Sequence, residues 1–183
     1  MFIGFFLYLI FFNSLLRRNI MRYGQIRKYD IANGPGIRTS VFVTGCPLKC
    51  VGCFNKEYQD ELNGKEWTKE QEDLVIKYLS IEHVSGLSIL GGEPLVQDEN
   101  LLNCLKRVKR EVKKDIWLWS GFCYEQLNKK QLEVLNYVDV LVDGPFILEK
   151  KDLNLKYCGS TNQRVIDLNK TRESHKVSLF SSV

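Results

Sequence analysis

The chain has 183 residues, of which 44% are hydrophobic, 26% charged and 11% aromatic. That is globular composition; it excludes collagen-like, low-complexity and repeat-array chains and predicts one domain large enough to bury its own core. With 26 Lys and Arg against 22 Asp and Glu, the net charge of +4 is too small to call for a nucleic-acid partner.

The first element is an apolar run, Phe2 to Phe12, followed by Asn13, Ser14, Leu15 and Leu16. It falls short of the roughly 20 apolar residues of a spanning helix. Arg17 and Arg18 follow the run, whereas a secretory signal carries its positive charge ahead of it. Residues 1–20 are expected to lie outside the fold, with Met21 as the working start; a membrane-surface anchor is the other reading. The domain is expected over residues 21–170, in the cytoplasm and not in a membrane, with a polar, loose tail over 171–183.

From Met21 onward strand and helix signals alternate. Arg38 to Gly45 is β-branched and aromatic, and predicts a strand. Thr68 with Gln71 three residues on is a capping-box signature, followed by Leu74, Val75, Tyr78 and Leu79 at helical spacing. Gly86 to Leu90 predicts a buried strand running into Gly91-Gly92-Glu93-Pro94. Asp98 is placed to cap a helix whose apolar face is Leu101, Leu102, Leu105, Val108 and Val112. A strand over Ile116–Trp119, a helix over Tyr124–Tyr137 with Leu127, Leu132 and Leu135 inward, a strand over Val138–Val142 and a short strand over Arg164–Leu168 complete the pattern. Such alternation predicts an α/β fold with a mostly parallel sheet. The chain is too short for a closed eight-fold barrel of about 250 residues, so an open, partial (β/α) barrel is expected. Cys46, Gly91, Ser120 and Asp143 all follow strands, and loops at carboxyl strand ends are where α/β folds build their sites.

The chemistry begins at Cys46-Pro47-Leu48-Lys49-Cys50-Val51-Gly52-Cys53, a C-x3-C-x2-C spacing. Three close thiols leave one unpaired in any disulfide scheme. Structural zinc takes four ligands, and His83 and His175, the two histidines of the chain, form no ligand pair with a neighbouring cysteine. Iron–sulfur clusters are held by cysteine thiolates from short loops, and three thiolates on a four-iron cube leave one iron open to a small molecule. On spacing alone the cluster leads, with zinc and no metal behind it.

This motif resembles the signature of the radical S-adenosylmethionine enzymes. The segments Asn33-Gly34-Pro35-Gly36-Ile37-Arg38-Thr39 and Gly45-Cys46 are similar to the activases of glycyl-radical enzymes. Gly52-Cys53-Phe54-Asn55, Asp115 to Gly121, Leu141-Val142-Asp143-Gly144 and Asn162-Gln163-Arg164-Val165 resemble the family that activates anaerobic (class III) ribonucleotide reductase. The position before the third cysteine, commonly aromatic in the superfamily, is Gly52 here and the aromatic is Phe54, a displacement that this branch shares.

The resemblance implies that Cys46, Cys50 and Cys53 hold a [4Fe-4S] cluster whose fourth iron is chelated by S-adenosylmethionine. Reductive cleavage then yields a 5′-deoxyadenosyl radical that takes a hydrogen atom from a glycine of the reductase. It implies that Gly91, Gly92 and Glu93 receive the methionine end of the cofactor, with Gly52 and Cys53 close to it. Phe54 is either an adenine contact or a core aromatic. An activase of pyruvate formate-lyase and a small radical enzyme of deazapurine synthesis would use the same cysteines. The tryptophan-bearing strand and the Asn162-Gln163-Arg164 segment favour the reductase partner. From another class, a zinc-stabilised binding module remains the competitor.

The remaining polar features have plainer expectations. Ser120 and Asp143 are expected to cap loops. Cys104, Cys123 and Cys158 are not assigned to the cluster, since free cysteines often act as small hydrophobes. Lys106, Arg107, Lys109, Arg110, Lys113 and Lys114 make one helix basic. The expectation is a solvated face, with steering of an acidic electron donor such as reduced flavodoxin as the sharper alternative.

Overall fold

The computed structural model describes residues 20–181; the apolar run over residues 1–19, and the expectation attached to it, lie outside the described residues. Seven strands form one mixed sheet: β1 (Arg22–Asp30), β2 (Ile37–Val43), β3 (Lys65–Glu66), β4 (Val84–Gly91), β5 (Asp115–Trp119), β6 (Val140–Asp143) and β7 (Arg164–Asp167). Their order is β3-β1-β2-β4-β5-β6-β7, an open sheet whose end strands do not meet. The four central strands β2, β4, β5 and β6 are parallel; β1 and β3 on one side and β7 on the other run antiparallel. Helices α1 (Lys69–Leu79), α2 (Asp98–Glu111) and α3 (Lys129–Leu135) link the parallel strands, and α4 (Leu168–Ser174) follows β7.

Local chemistry accounts for the helix starts. Thr68 and Gln71 form the expected capping box on α1: the Thr68 N–H donates to Gln71 Oε1 (3.0 Å) and Thr68 Oγ1 accepts from the Glu70 N–H (3.3 Å). A second box opens α3, where Asn128 Oδ1 accepts from Lys130 N (2.9 Å) and Gln131 N (3.1 Å). The expected Tyr124–Tyr137 helix is therefore shorter. Tyr124–Gln126 is a 3₁₀ turn, and the buried residues of α3 are Val134 and Leu135, with Leu132 exposed. Helix α2 begins at Asp98, with Gln97 at the capping position. Strand β1 has no counterpart in the sequence reading, because its residues before the buried Asp30 are half-buried or exposed and carry no apolar period.

Successive strand residues point to opposite sides, and the two sides differ sharply. Val41, Val43, Leu87, Ile89, Ile116, Leu118 and Leu141 pack under α1–α3 with Val75, Leu79, Leu105 and Leu135. Between them stand Arg38, Ser40, Phe42, Ser88, Leu90, Trp117, Trp119 and Val142 on the other side. The parallel strands are added one after another in a single direction. With crossovers of one hand, that order puts every connecting helix on the same side and leaves the opposite side uncovered.

Part of the uncovered side is closed by the connection between β6 and β7 and by the segment around Phe180. Trp117 packs edge-on against Tyr157 (5.0 Å between ring centroids) and Phe180 (5.1 Å). The segment beyond Lys170, expected to be loose, is thus packed as far as Phe180: Thr171 is buried, the Arg172 guanidinium donates to the Leu135 and Val138 carbonyls, and Leu179 bridges to Ile166. Polar composition misled here because Thr171 is buried and the half-buried Arg172 guanidinium is paired with backbone carbonyls. At the amino ends of the strands the fully buried Arg38 donates to Ser88 Oγ (2.7 Å) and Asp115 (3.1 Å), and Ser88 donates to the Asn33 carbonyl (2.5 Å). This fastens the Asn33–Gly36 turn across that end of the sheet.

Candidate functional site

The carboxyl ends of β2, β4, β5 and β6 converge on a cavity of about 480 Å³, which falls in the range of small-molecule sites. Cys46, Cys50, Cys53 and Phe54 line it from the loop after β2, Gly91, Gly92 and Glu93 from the end of β4, Ser120 and Gly121 from β5, and Gly144 from β6. The long connection between β6 and β7 supplies the opposite wall, including Phe146, Tyr157, Cys158, Gly159 and Gln163.

The cysteine loop is built as a closed excursion. Its stem is tied by Gly45 N–H to Tyr58 O (2.9 Å) and Cys46 N–H to Gln59 O (3.0 Å), with a 3₁₀ turn at Lys56–Tyr58. Within it Lys49 (φ 47°) and Gly52 (φ 72°) adopt the left-handed conformation, which turns the chain back between cysteines. All three thiols are free and half-buried. Burial pushes the Cys46 thiol up, opposed by the nearby backbone N–H groups of Leu48 and Lys49. Such donors favour a thiolate and a sulfur-ligated cluster. Among the described residues no three His, Cys, Asp or Glu side chains close around the position of a single metal ion. Three ligands that each take a different iron of a cube have no need to do so. Thiols on one loop, lining one cavity, with amides at a sulfur, fit a [4Fe-4S] cluster.

The Gly-Gly-Glu segment, besides lining the cavity, has a packing role. A Cβ at Gly91 (φ 115°) would stand 2.5 Å from Val43 O, and one at Gly92 2.5 Å from Gly45 O and 2.8 Å from Tyr58 O. The glycines therefore serve close approach between this loop and the stem of the cysteine loop, sealed by Gly92 N–H to Val43 O (2.8 Å) and Glu93 N–H to Gly45 O (2.8 Å). Glu93 is buried. One oxygen accepts from Leu95 N (3.0 Å) and Ser120 Oγ (2.9 Å), the other from Gly121 N (2.7 Å). Burial nevertheless raises its pKa to about 7, outweighing those donors. Its carboxyl group thus ties the end of β4 to the end of β5 as well as lining the cavity.

Gly52 is not among the residues that line the cavity, and a Cβ there would meet Leu148 Cδ1 at 2.9 Å. Phe54 is 57% exposed, so it is no core aromatic; its ring stands against Phe146 (5.1 Å) with Lys151 Nζ over the face (5.1 Å). Ser120 and Asp143 cap loops as expected. Ser120 Oγ accepts from Phe122 N (3.1 Å), and Asp143 accepts from Tyr124 N (2.8 Å) and from Arg164 Nε (2.9 Å). Cys104 is buried on α2, which pushes its pKa up to about 12. Cys158 lines the cavity, with its pKa pushed to about 11 by burial and then by Asp143; its remoteness in sequence from the other thiols hid it. Asn33, Trp119 and Gln163 were also unassigned, although each lies in a segment that carries the resemblance.

The basic residues of α2 and of the segment after it are largely paired. Lys106 bridges to Glu133, Arg107 to Glu72, Asp73 and Glu111, and Lys109 to Asp139, while Lys114 donates to the Val84 carbonyl.

A profile of the 4Fe-4S single cluster domain family matches residues 32–166, a span that includes all three loop cysteines and every strand of the parallel group. An anaerobic ribonucleoside-triphosphate reductase-activating protein of Salmonella typhi is 42% identical over 150 residues, covering 79% of this chain and 97% of the relative. The protein of that name from Escherichia coli (strain K12) is 39% identical over the same shares. That of Enterobacteria phage T4 is 41% identical over 79% of this chain and 93% of its own. This chain belongs to the family of anaerobic ribonucleoside-triphosphate reductase-activating proteins. The family relationship spans the cavity loops and the Asn162-Gln163-Arg164 segment alike, and no helix among the described residues is long and apolar enough to cross a membrane.

Proposed function

We propose that Cys46, Cys50 and Cys53 are the protein ligands of a [4Fe-4S] cluster, and that the protein uses it to activate anaerobic ribonucleoside-triphosphate reductase. The observation that carries this is the meeting of the three free thiols with the ends of β4, β5 and β6 around one cavity of about 480 Å³. The cluster with S-adenosylmethionine supplies reductive carbon–sulfur cleavage and, through it, removal of a hydrogen atom from a glycine of the reductase.

The chain's own residues supply placement and exclusion of water. The open sheet is read as a partial (β/α) barrel of radical S-adenosylmethionine type, its uncovered side forming the inner wall. Gly91, Gly92 and Glu93 bound the part of the cavity nearest the stem of the cysteine loop, where the methionine end of the cofactor is placed. Glu93 Oε2 receives one hydrogen bond from the chain and keeps capacity for a cofactor ammonium. Phe54, exposed and lining the cavity, offers a face for adenine. The electron is assigned to a low-potential donor such as reduced flavodoxin, and the protein to the cytoplasm.

The test is anaerobic reconstitution with iron and sulfide, followed by incubation with the reductase, S-adenosylmethionine and a reductant. About four irons and four sulfides per chain, 5′-deoxyadenosine, and a glycyl doublet in electron paramagnetic resonance are expected. A colourless protein loaded with zinc alone overturns the reading.

A further inference from the structure

The connection between β6 and β7, residues 144–163, is the largest wall of the cavity, and a paired clasp fixes its base. Asp143-Gly144-Pro145 on the outgoing side faces Asn162-Gln163-Arg164 on the returning side, residue against residue. Arg164 holds the Asp143 carboxylate, Gln163 Nε2 donates to Gly144 O (2.9 Å), and Asn162 Nδ2 donates to Pro145 O (2.8 Å). Arg164 also reaches Glu125 (2.8 Å). Of these side chains Gln163 alone lines the cavity and also spans the clasp. Its Oε1 accepts from Gly159 N (2.7 Å) and Ser160 N (3.2 Å), so one amide group fixes three backbone positions.

Those positions press on the cysteine loop. Gly159 lies beneath the Phe54–Phe146 pair so closely that a Cβ would stand 2.9 Å from Phe54 and 3.1 Å from Phe146. Leu148 of the same connection fills the space over Gly52, and Trp119 Nε1 anchors it by donating to Tyr157 O (2.7 Å). A contact path therefore runs from Gln163 through Gly159 to Phe54, the residue after Cys53.

Resting on the activase reading above, we propose that Gln163 is a positioning residue: through Gly159 and Phe54 it sets the cavity wall so that cofactor cleavage and hydrogen abstraction from the partner glycine stay coupled. Displacements near 1 Å at a reacting centre are enough to change transfer efficiency by orders of magnitude, while cleavage itself depends on the cluster side of the cavity.

The experiment uses Gln163→Ala and, as an independent displacement of the same wall, Gly159→Ala, each in the reconstituted full chain. The readout is 5′-deoxyadenosine formed per glycyl radical, with iron per chain and thermal unfolding measured alongside. Both variants are expected to keep wild-type iron and to raise that ratio by about threefold or more. In the iron-free protein, hydrogen exchange over residues 157–161 is expected to quicken about tenfold or more in Gln163→Ala, and not in Lys176→Ala. An unchanged ratio in both variants, or loss of iron as the main effect, overturns the proposal. If Gln163→Ala does not fold, Gly159→Ala decides. A wild-type protein that forms no 5′-deoxyadenosine overturns the activase reading itself, and with it this one.

Discussion

The two sides of the central sheet come from the same strands, residue by residue, and do opposite work. Under the helices, Val41, Leu87, Ile116, Leu118 and Leu141 are buried aliphatics with no hydrogen-bonding side chain among them. On the uncovered side the alternate positions hold Arg38, Ser88, Trp117 and Trp119, each tied to a loop or chain end through a polar group or a ring. The helix side supplies most of the apolar burial that folds the chain. The uncovered side gives up part of that burial and in exchange fixes the loops that bound the cavity. Stability and chemistry should therefore respond separately to substitution.

The largest expected effect is on the chemical side. Cys50→Ala should lose the cluster absorbance and 5′-deoxyadenosine formation to below detection, with thermal unfolding within a few degrees of the iron-free wild type, since Cys50 is half-buried and bonded to nothing in the core. A variant that still forms 5′-deoxyadenosine would break the assignment of the ligands. Next comes its mirror image. Leu118→Ala, at a fully buried helix-side position, should cost about 2–5 kcal/mol in urea unfolding. Its folded fraction should still bind iron at the wild-type ratio, and loss of iron in proportion to stability would show that the two sides are not separable.

Glu93 sharpens the comparison because it belongs to both roles. The unfolded carboxyl releases its proton near pH 4.5, whereas the folded one holds it to about pH 7. Between those values folding takes up a proton, so stability is fully present below pH 4.5 and falls as pH rises towards 7. In iron-free protein the decline should amount to about 1–3 kcal/mol between pH 5 and pH 8. Glu93→Gln should flatten it, which urea titrations across that range would detect. The smallest effect is expected on the outer surface of α2 and the segment just after it. Reversing Arg110 and Lys113 should change the rate of reduction by flavodoxin at low salt by less than about threefold, because most of the basic charge of that helix is already neutralised by Glu72, Asp73, Glu133 and Asp139. A tenfold loss would restore a steering role to this face.

What could be read from sequence follows the range of the interactions involved. The capping box at Thr68 and the parallel strands are local signals, and both appear where expected. The same logic applied to Asn128 and Gln131 would have started α3 at Lys129, because the Asx cap overrides the apparent apolar period that begins at Tyr124. Strand β1 escaped because it is half exposed and lies near the sheet margin, where period-2 alternation has little to bury. The cysteine loop was legible from spacing. The purpose of Gly92 was not, because only the folded chain brings Gly45 and Tyr58 against it. Cys158, Trp119 and Gln163 reach the cavity through pairings more than thirty residues from the cysteine loop, a distance that no single window of sequence spans.

The margins of the sheet bear on life in a crowded cell. β3 is two residues long, β7 is four, and β1 departs from regular register twice along its pairing with β2 while carrying Arg27 and Lys28. Short, bent and charged borders are poor templates for backbone pairing with a second copy. A protein that keeps an open cavity at the carboxyl ends of its strands can thus remain unaggregated, since the cavity mouth is kept apart from the borders along which sheets polymerise.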